Sequence, residues 1–90
     1  MRNVFSVKTS NKAEKQLREV EKDIYARAIE LFKTLEQNPV PAKQYNLLKI
    51  VGRADTYRVR LSSYRVIYTV FWEEKIVRIL KIERRSETTY

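Results

Sequence analysis

The sequence predicts an α+β domain: an N-terminal strand, two helices, then an antiparallel sheet. Three observations predict it. Apolar residues fall at helical intervals between positions 11 and 37, they alternate in twos from position 57 onward, and Asn38, Pro39 and Pro41 separate the two regimes. Helices followed by a run of strands, without βαβ alternation, point to helices laid on one face of an antiparallel sheet. Ninety residues suffice for one core and not for two, so residues 1–90 are read as a single domain.

Each element has a local reason. Asn3 to Lys8 reads as a short strand, with Val4, Phe5 and Val7 apolar. Ser10 or Asn11 can cap a helix, and Glu14 follows Asn11 by the interval of a capping box. Ala13, Leu17, Val20 and Ile24 recur at helical spacing, as do Ile24, Ala28, Leu31 and Leu35. Asp23 can start a second helix, giving two helices over about 11–21 and 23–37. The prolines end the second, since proline disfavours helical geometry before it and lacks an amide donor. Leu47 to Val51 is the next strand, Gly52 to Asp55 a turn, and Trp72 to Lys75 a turn leading into a final strand from Lys75 to about Arg84.

The stretch YRVRLSSYRVIY, residues 57 to 68, reads as a hairpin. A two-residue turn at Ser62 and Ser63 pairs Leu61 with Tyr64 and Arg60 with Arg65, which gathers Arg58, Arg60 and Arg65 on one face. Tyr57, Val59, Leu61, Tyr64, Val66, Tyr68, Val70, Val77 and Ile79 fall on the other, a core face for the helices. Pairing Phe71 with Ile76 sets Arg65 against Ile82 and Ser63 against Arg84, so Arg84 joins the arginine face. Lys81 breaks the alternation, and a bulge there would shift this register.

Like charges directly opposed across two strands cost about 0.2–1 kcal/mol, so the arginine cluster points to an anionic partner. The alternative is an ordinary solvated face, since nineteen Lys and Arg among ninety residues make some clusters inevitable. The net charge of +8 favours a polyanion, with nucleic acid the leading candidate. Residues 47–90 hold 10 basic and 5 acidic groups, against 9 and 6 in residues 1–46, so the second half is the expected binding surface. No long apolar run and no basic helix with a wide apolar face argues for a membrane.

The absence of Cys and His excludes disulfides, thiolate nucleophiles, imidazole catalysis and most transition-metal sites. Any acid or base is Lys, Tyr, Asp or Glu. No metal or other cofactor is expected, because no carboxylate pair has suitable spacing and the single glycine cannot build a phosphate-cradling loop. MRNVFSVKTS lacks the apolar segment of a signal peptide, which gives a cytoplasmic expectation. Tyr57, Tyr64 and Tyr68 belong to the core by parity, Trp72 reads as cover for the core rim, and Tyr90 stands apart beside a basic run.

YRVRLSSYRVIYTV, followed by an apolar strand and an Arg-Arg-Ser-Glu tail ending in tyrosine, resembles the RelE family of toxin–antitoxin ribonucleases within the RelE and ParE superfamily. The likeness in element order covers nearly the whole chain. It implies a toxin that enters the ribosomal A site and cuts mRNA by attack of a 2'-hydroxyl on the adjacent phosphate, without a metal. By that resemblance Arg58 and Arg60 stand where the family has paired basic residues that contact substrate. Arg65 matches the phosphate-stabilising arginine, Arg84 or Arg85 the basic residue after the last strand, and Tyr90 the C-terminal tyrosine that stacks on a base.

One departure matters: the position often held by a lysine able to act as general base is Arg60, and arginine keeps its proton. Tyr90 can serve instead, or positioning and charge stabilisation carry the rate. The resemblance also implies an antitoxin partner, RelB-like, helical and acidic. The rivals are a ParE-like inhibitor of DNA gyrase on the same fold and a non-catalytic RNA-binding module.

Overall fold

Ser10 settles where the first helix begins. In the computed structural model, which describes residues 4–85, its backbone is extended and its hydroxyl accepts from the Ala13 amide at 3.0 Å, a side-chain cap for helix α1 (Asn11–Arg18). The chain breaks at Glu19–Glu21, and α2 (Lys22–Gln37) presents Ile24, Ala28, Leu31 and Leu35, all buried, along one stripe. Burying a leucine such as Leu31 contributes about 1.5–3 kcal/mol. Asn38 ends α2, and the loop behind it is pinned where the Tyr68 hydroxyl donates to the Pro39 carbonyl at 2.8 Å.

Five strands follow the order β1-β5-β4-β3-β2: β1 (Ser6–Thr9), β2 (Leu47–Lys49), β3 (Thr56–Leu61), β4 (Tyr64–Phe71) and β5 (Ile76–Arg84). The sheet is mixed rather than wholly antiparallel, because β1 runs parallel to β5 while the other pairs are antiparallel. The two helices carry the chain from β1 to the far edge. Three reversals then bring it back beside β1 in the same direction.

Two strands are shorter than expected. Val4 and Phe5 lie outside β1: the Phe5 amide bonds to the Glu36 carbonyl at 2.8 Å, drawing Phe5 into the core, and pairing with β5 begins at Ser6. Asn3 lies outside the described residues. Val51 is 94 % exposed, because β2 stops at Lys49 and the Ile50 amide closes a turn onto the Thr56 carbonyl. Gly52 at φ 89° and Asp55 at φ 51° make that turn.

Every residue assigned to the core face is buried, and Ile82 joins them. The expected register holds from Phe71–Ile76 and Val70–Val77 to Tyr68–Ile79 and then fails. Tyr68 pairs with Ile79 but Ile67 with Lys81, so Leu80 is an extra residue, a β-bulge. Helix α1 satisfies the backbone around it: the Ser10 hydroxyl donates to the Leu80 carbonyl at 2.9 Å, and the Ile82 amide donates to Gln16 Oε1 at 2.7 Å. Beyond Thr9, then, α1 takes over the role of a neighbouring strand along β5.

Candidate active site

Ser62 and Ser63 form the two-residue turn expected of them, with Leu61 paired to Tyr64 and Arg60 directly opposite Arg65. Ser62 adopts φ 56°, the left-handed geometry that two-residue hairpin turns demand and that serine tolerates less well than glycine. Arg58 stands one row further in, opposite Ile67. Three guanidinium groups therefore share the sheet face that carries no helix.

The bulge decides the fourth. With Leu80 extra, Arg65 faces Glu83 rather than Ile82, and Arg84 faces Tyr64 rather than Ser63. The expectation that Arg84 joins the arginine face is therefore overturned. Tyr64 belongs to the core face, and the Arg84 guanidinium lies over its ring, 5.9 Å from the centroid, a cation–π contact at the helix side of the sheet. Arg84 lines a separate cavity of about 280 Å³ with Gln16, Glu19 and Val20.

Arg85 takes the place. Its amide donates to the Ser63 carbonyl at 2.6 Å and its Nη1 to the Ser62 carbonyl at 3.4 Å, which ties the residue after β5 to the hairpin tip. Arg58, Arg60, Arg65 and Arg85 then line one small cavity of about 100 Å³. No carboxylate lines it among the described residues. Planar guanidiniums around so small a concavity offer convergent paired donors to a tetrahedral oxyanion, and they stay charged at any working pH. Tyr90, the remaining candidate, lies outside the described residues.

Sequence reasoning missed two titratable groups beside the cavity. Lys81 and Glu83 are brought onto the arginine face by the bulge, opposite Ile67 and Arg65, and they pair with each other at 3.5 Å. Ile67 stands between Arg58 and Lys81 in register and is only 7 % exposed, although it faces away from the core. Long cationic side chains cover apolar surface with their stems in this way. The break in alternation at Lys81 was the signal that could have placed both.

Tyrosines behave as parity requires. Tyr57, Tyr64 and Tyr68 are buried, with Tyr57 and Tyr68 rings 5.7 Å apart. Burial, and then the neighbouring Tyr57, push the Tyr68 hydroxyl well above the ordinary phenol range. Trp72 packs edge-on against Phe5, centroids 5.6 Å apart, and donates from Nε1 to Asp55 at 3.3 Å, so it covers the rim as expected.

Comparison with known proteins agrees with this architecture. Residues 7–89 match the family model described as the ParE toxin of the type II toxin–antitoxin system parDE. A Methanocaldococcus jannaschii protein assigned as toxin RelE1 is 33 % identical over 82 residues, 91 % of each chain. A chain of the archaeal RelE–RelB complex from Pyrococcus horikoshii superposes with a TM-score of 0.85 at 37 % identity, over 94 % of this chain and 99 % of that one. A chain of the intact E. coli RelBE toxin–antitoxin complex shares the fold, with a TM-score of 0.78 at 19 % identity over 92 % and 99 % of the two chains.

Proposed function

Because the chain belongs to the RelE/ParE family of toxins from type II toxin–antitoxin systems, we propose that it is the ribosome-dependent endoribonuclease of such a system, cutting mRNA in the A site. The single observation that carries this reading is the cavity of four guanidiniums at the hairpin tip. The 2'-hydroxyl gives up its proton to a base as its oxygen attacks the adjacent phosphorus, the bond from phosphorus to the 5'-oxygen breaks as that oxygen takes up a proton from water, and a cyclic phosphate and a 5'-hydroxyl remain. Negative charge builds on the nonbridging oxygens between these events. Arg65 and Arg85 donate to those oxygens, and Arg58 and Arg60 hold the flanking backbone.

Arg60 cannot take the 2'-proton. Among the described residues, the groups on this face beside the cavity that can change protonation are Lys81 and Glu83, with Tyr90 the group the family resemblance adds. Orientation of the strand by the ribosome supplies a further share of the rate. The partner that restrains the toxin is a RelB-like antitoxin whose acidic helical segment covers the arginine face. A ribosomal substrate places the protein in the cytoplasm.

A second reading, inhibition of DNA gyrase, has one observation in its favour, the ParE description of the matching family model. Cleavage of mRNA on purified ribosomes tests both. Wild type is expected to cut with codon periodicity, and Arg65→Ala to cut at least about tenfold more slowly, since one transition-state donor contributes roughly 2.7–4 kcal/mol. Intact mRNA together with blocked gyrase would replace the first reading by the second.

A further inference from the structure

The bare face of the sheet carries more positive charge than the arginine cavity uses. Lys8 on β1 and Arg78 on β5 are partners in the parallel register, side by side on the same face as Arg58, Arg60 and Arg65. Both are exposed, and neither forms an ion pair with another described residue. Lys81, which lies between them and the cavity, is already neutralised by Glu83. The sheet therefore presents two separate foci of unpaired cation: four guanidiniums at the hairpin tip and the Lys8–Arg78 pair.

Adjacent like charges across strands are unfavourable without a counter-anion, the same reasoning that singled out Arg60 and Arg65. Arg78 faces Thr69, four residues along β4 from Arg65, so the foci are offset by about 13 Å along the strands at 3.3 Å per residue. A stacked strand advancing 3.4 Å per phosphate covers that distance in about four nucleotides.

We infer that Lys8 and Arg78 form a second anion subsite, which holds the phosphodiester backbone of the RNA strand about four nucleotides from the phosphate in the arginine cavity. This rests on the ribonuclease reading, which it extends from one phosphate to a footprint across the sheet. The subsite anchors the strand and takes no part in bond breaking.

The test uses the full chain and a 2'-O-methylated single-stranded RNA, which keeps every phosphate but cannot be cut. Each phosphate contact on a single strand adds about 0.7 to the slope of log affinity against log salt, about fourfold in affinity at 0.15 M. The double variant Lys8→Ala, Arg78→Ala is expected to bind about tenfold more weakly at that salt, with a slope shallower by about 1.4. Its thermal midpoint should stay equal or rise, because a like-charge pair has been removed. A lowered midpoint accompanying the weaker binding would overturn the inference by making the loss structural.

Unchanged affinity and slope would also overturn it, whether or not wild type cuts mRNA. So would a loss confined to binding of an acidic antitoxin peptide, which would give this face to protein instead. If wild type fails to cut on ribosomes while the double variant shows the shallower slope, the subsite stands and the catalytic reading falls.

Discussion

The two faces of one sheet are built from the same strands and obey opposite rules. Toward the helices, Val59, Val66, Tyr68, Val77 and Ile79 are fully buried and each contributes by leaving water. Away from them, Lys8, Arg58, Arg60, Arg65, Arg78, Lys81 and Arg85 crowd positive charge around a single carboxylate, Glu83, among the described residues. Packing explains the first set, but for the second it accounts only for the stems that cover Ile67 and not for the crowding of charge. What stabilises the fold and what meets a ligand are separated by the thickness of one strand, so a shift of one residue along a strand exchanges the two roles.

Arg84 and Arg85 are the sharpest test of that separation. Arg85→Ala should slow mRNA cutting by about 10²–10³, the loss expected for one donor to a developing oxyanion, while Arg84→Ala stays close to wild type in single-turnover assays on ribosomes. Equal losses in the two variants would erase the distinction between the faces.

On the core face, Tyr68→Phe leaves the Pro39 carbonyl without its donor and should cost about 1–3 kcal/mol by denaturant unfolding. The same hydroxyl gives a pH signature. Its proton is held more tightly in the folded chain than in the unfolded one, so its contribution is fully present below the unfolded value of about 10 and declines as pH rises past it. Wild type should therefore lose stability in alkali more steeply than Tyr68→Phe.

The smallest effect has the opposite sign. Arg60→Ala relieves its direct opposition to Arg65 and should raise stability by about 0.2–1 kcal/mol in thermal unfolding while weakening cutting. A destabilised variant would mean that Arg60 belongs to the scaffold.

Most of this was legible in the residues. The change from helical spacing to strict alternation located both layers, and the parity of positions 57 to 70 separated seven core residues from three arginines without error. The failures share one cause. The Leu80 bulge is held from outside its strand by Ser10 and Gln16, more than sixty positions away in sequence, as shown by separations of 70 and 66 residues. A local pattern carries only its trace: apolar residues at 77 and 79 give way to one at 82, and Lys81 falls out of step. Without that change of parity Arg84 falls beside Arg58, Arg60 and Arg65; with it, Arg85 does.

The direction of β1 and the pairing of Lys8 with Arg78 were equally hidden, because nothing local fixes which strand lies next to which. Assignments to Tyr90 fall beyond the described residues.

The position of β5 has a consequence for timing. It leaves the ribosome after every other described element, yet it lies inside the sheet, between β1 and β4. During synthesis the earlier strands have no partner to join them into one layer, and Arg85 is not yet tied to the hairpin that it completes. A toxin built this way cannot close its sheet, or complete its cluster of four guanidiniums, until β5 has been made.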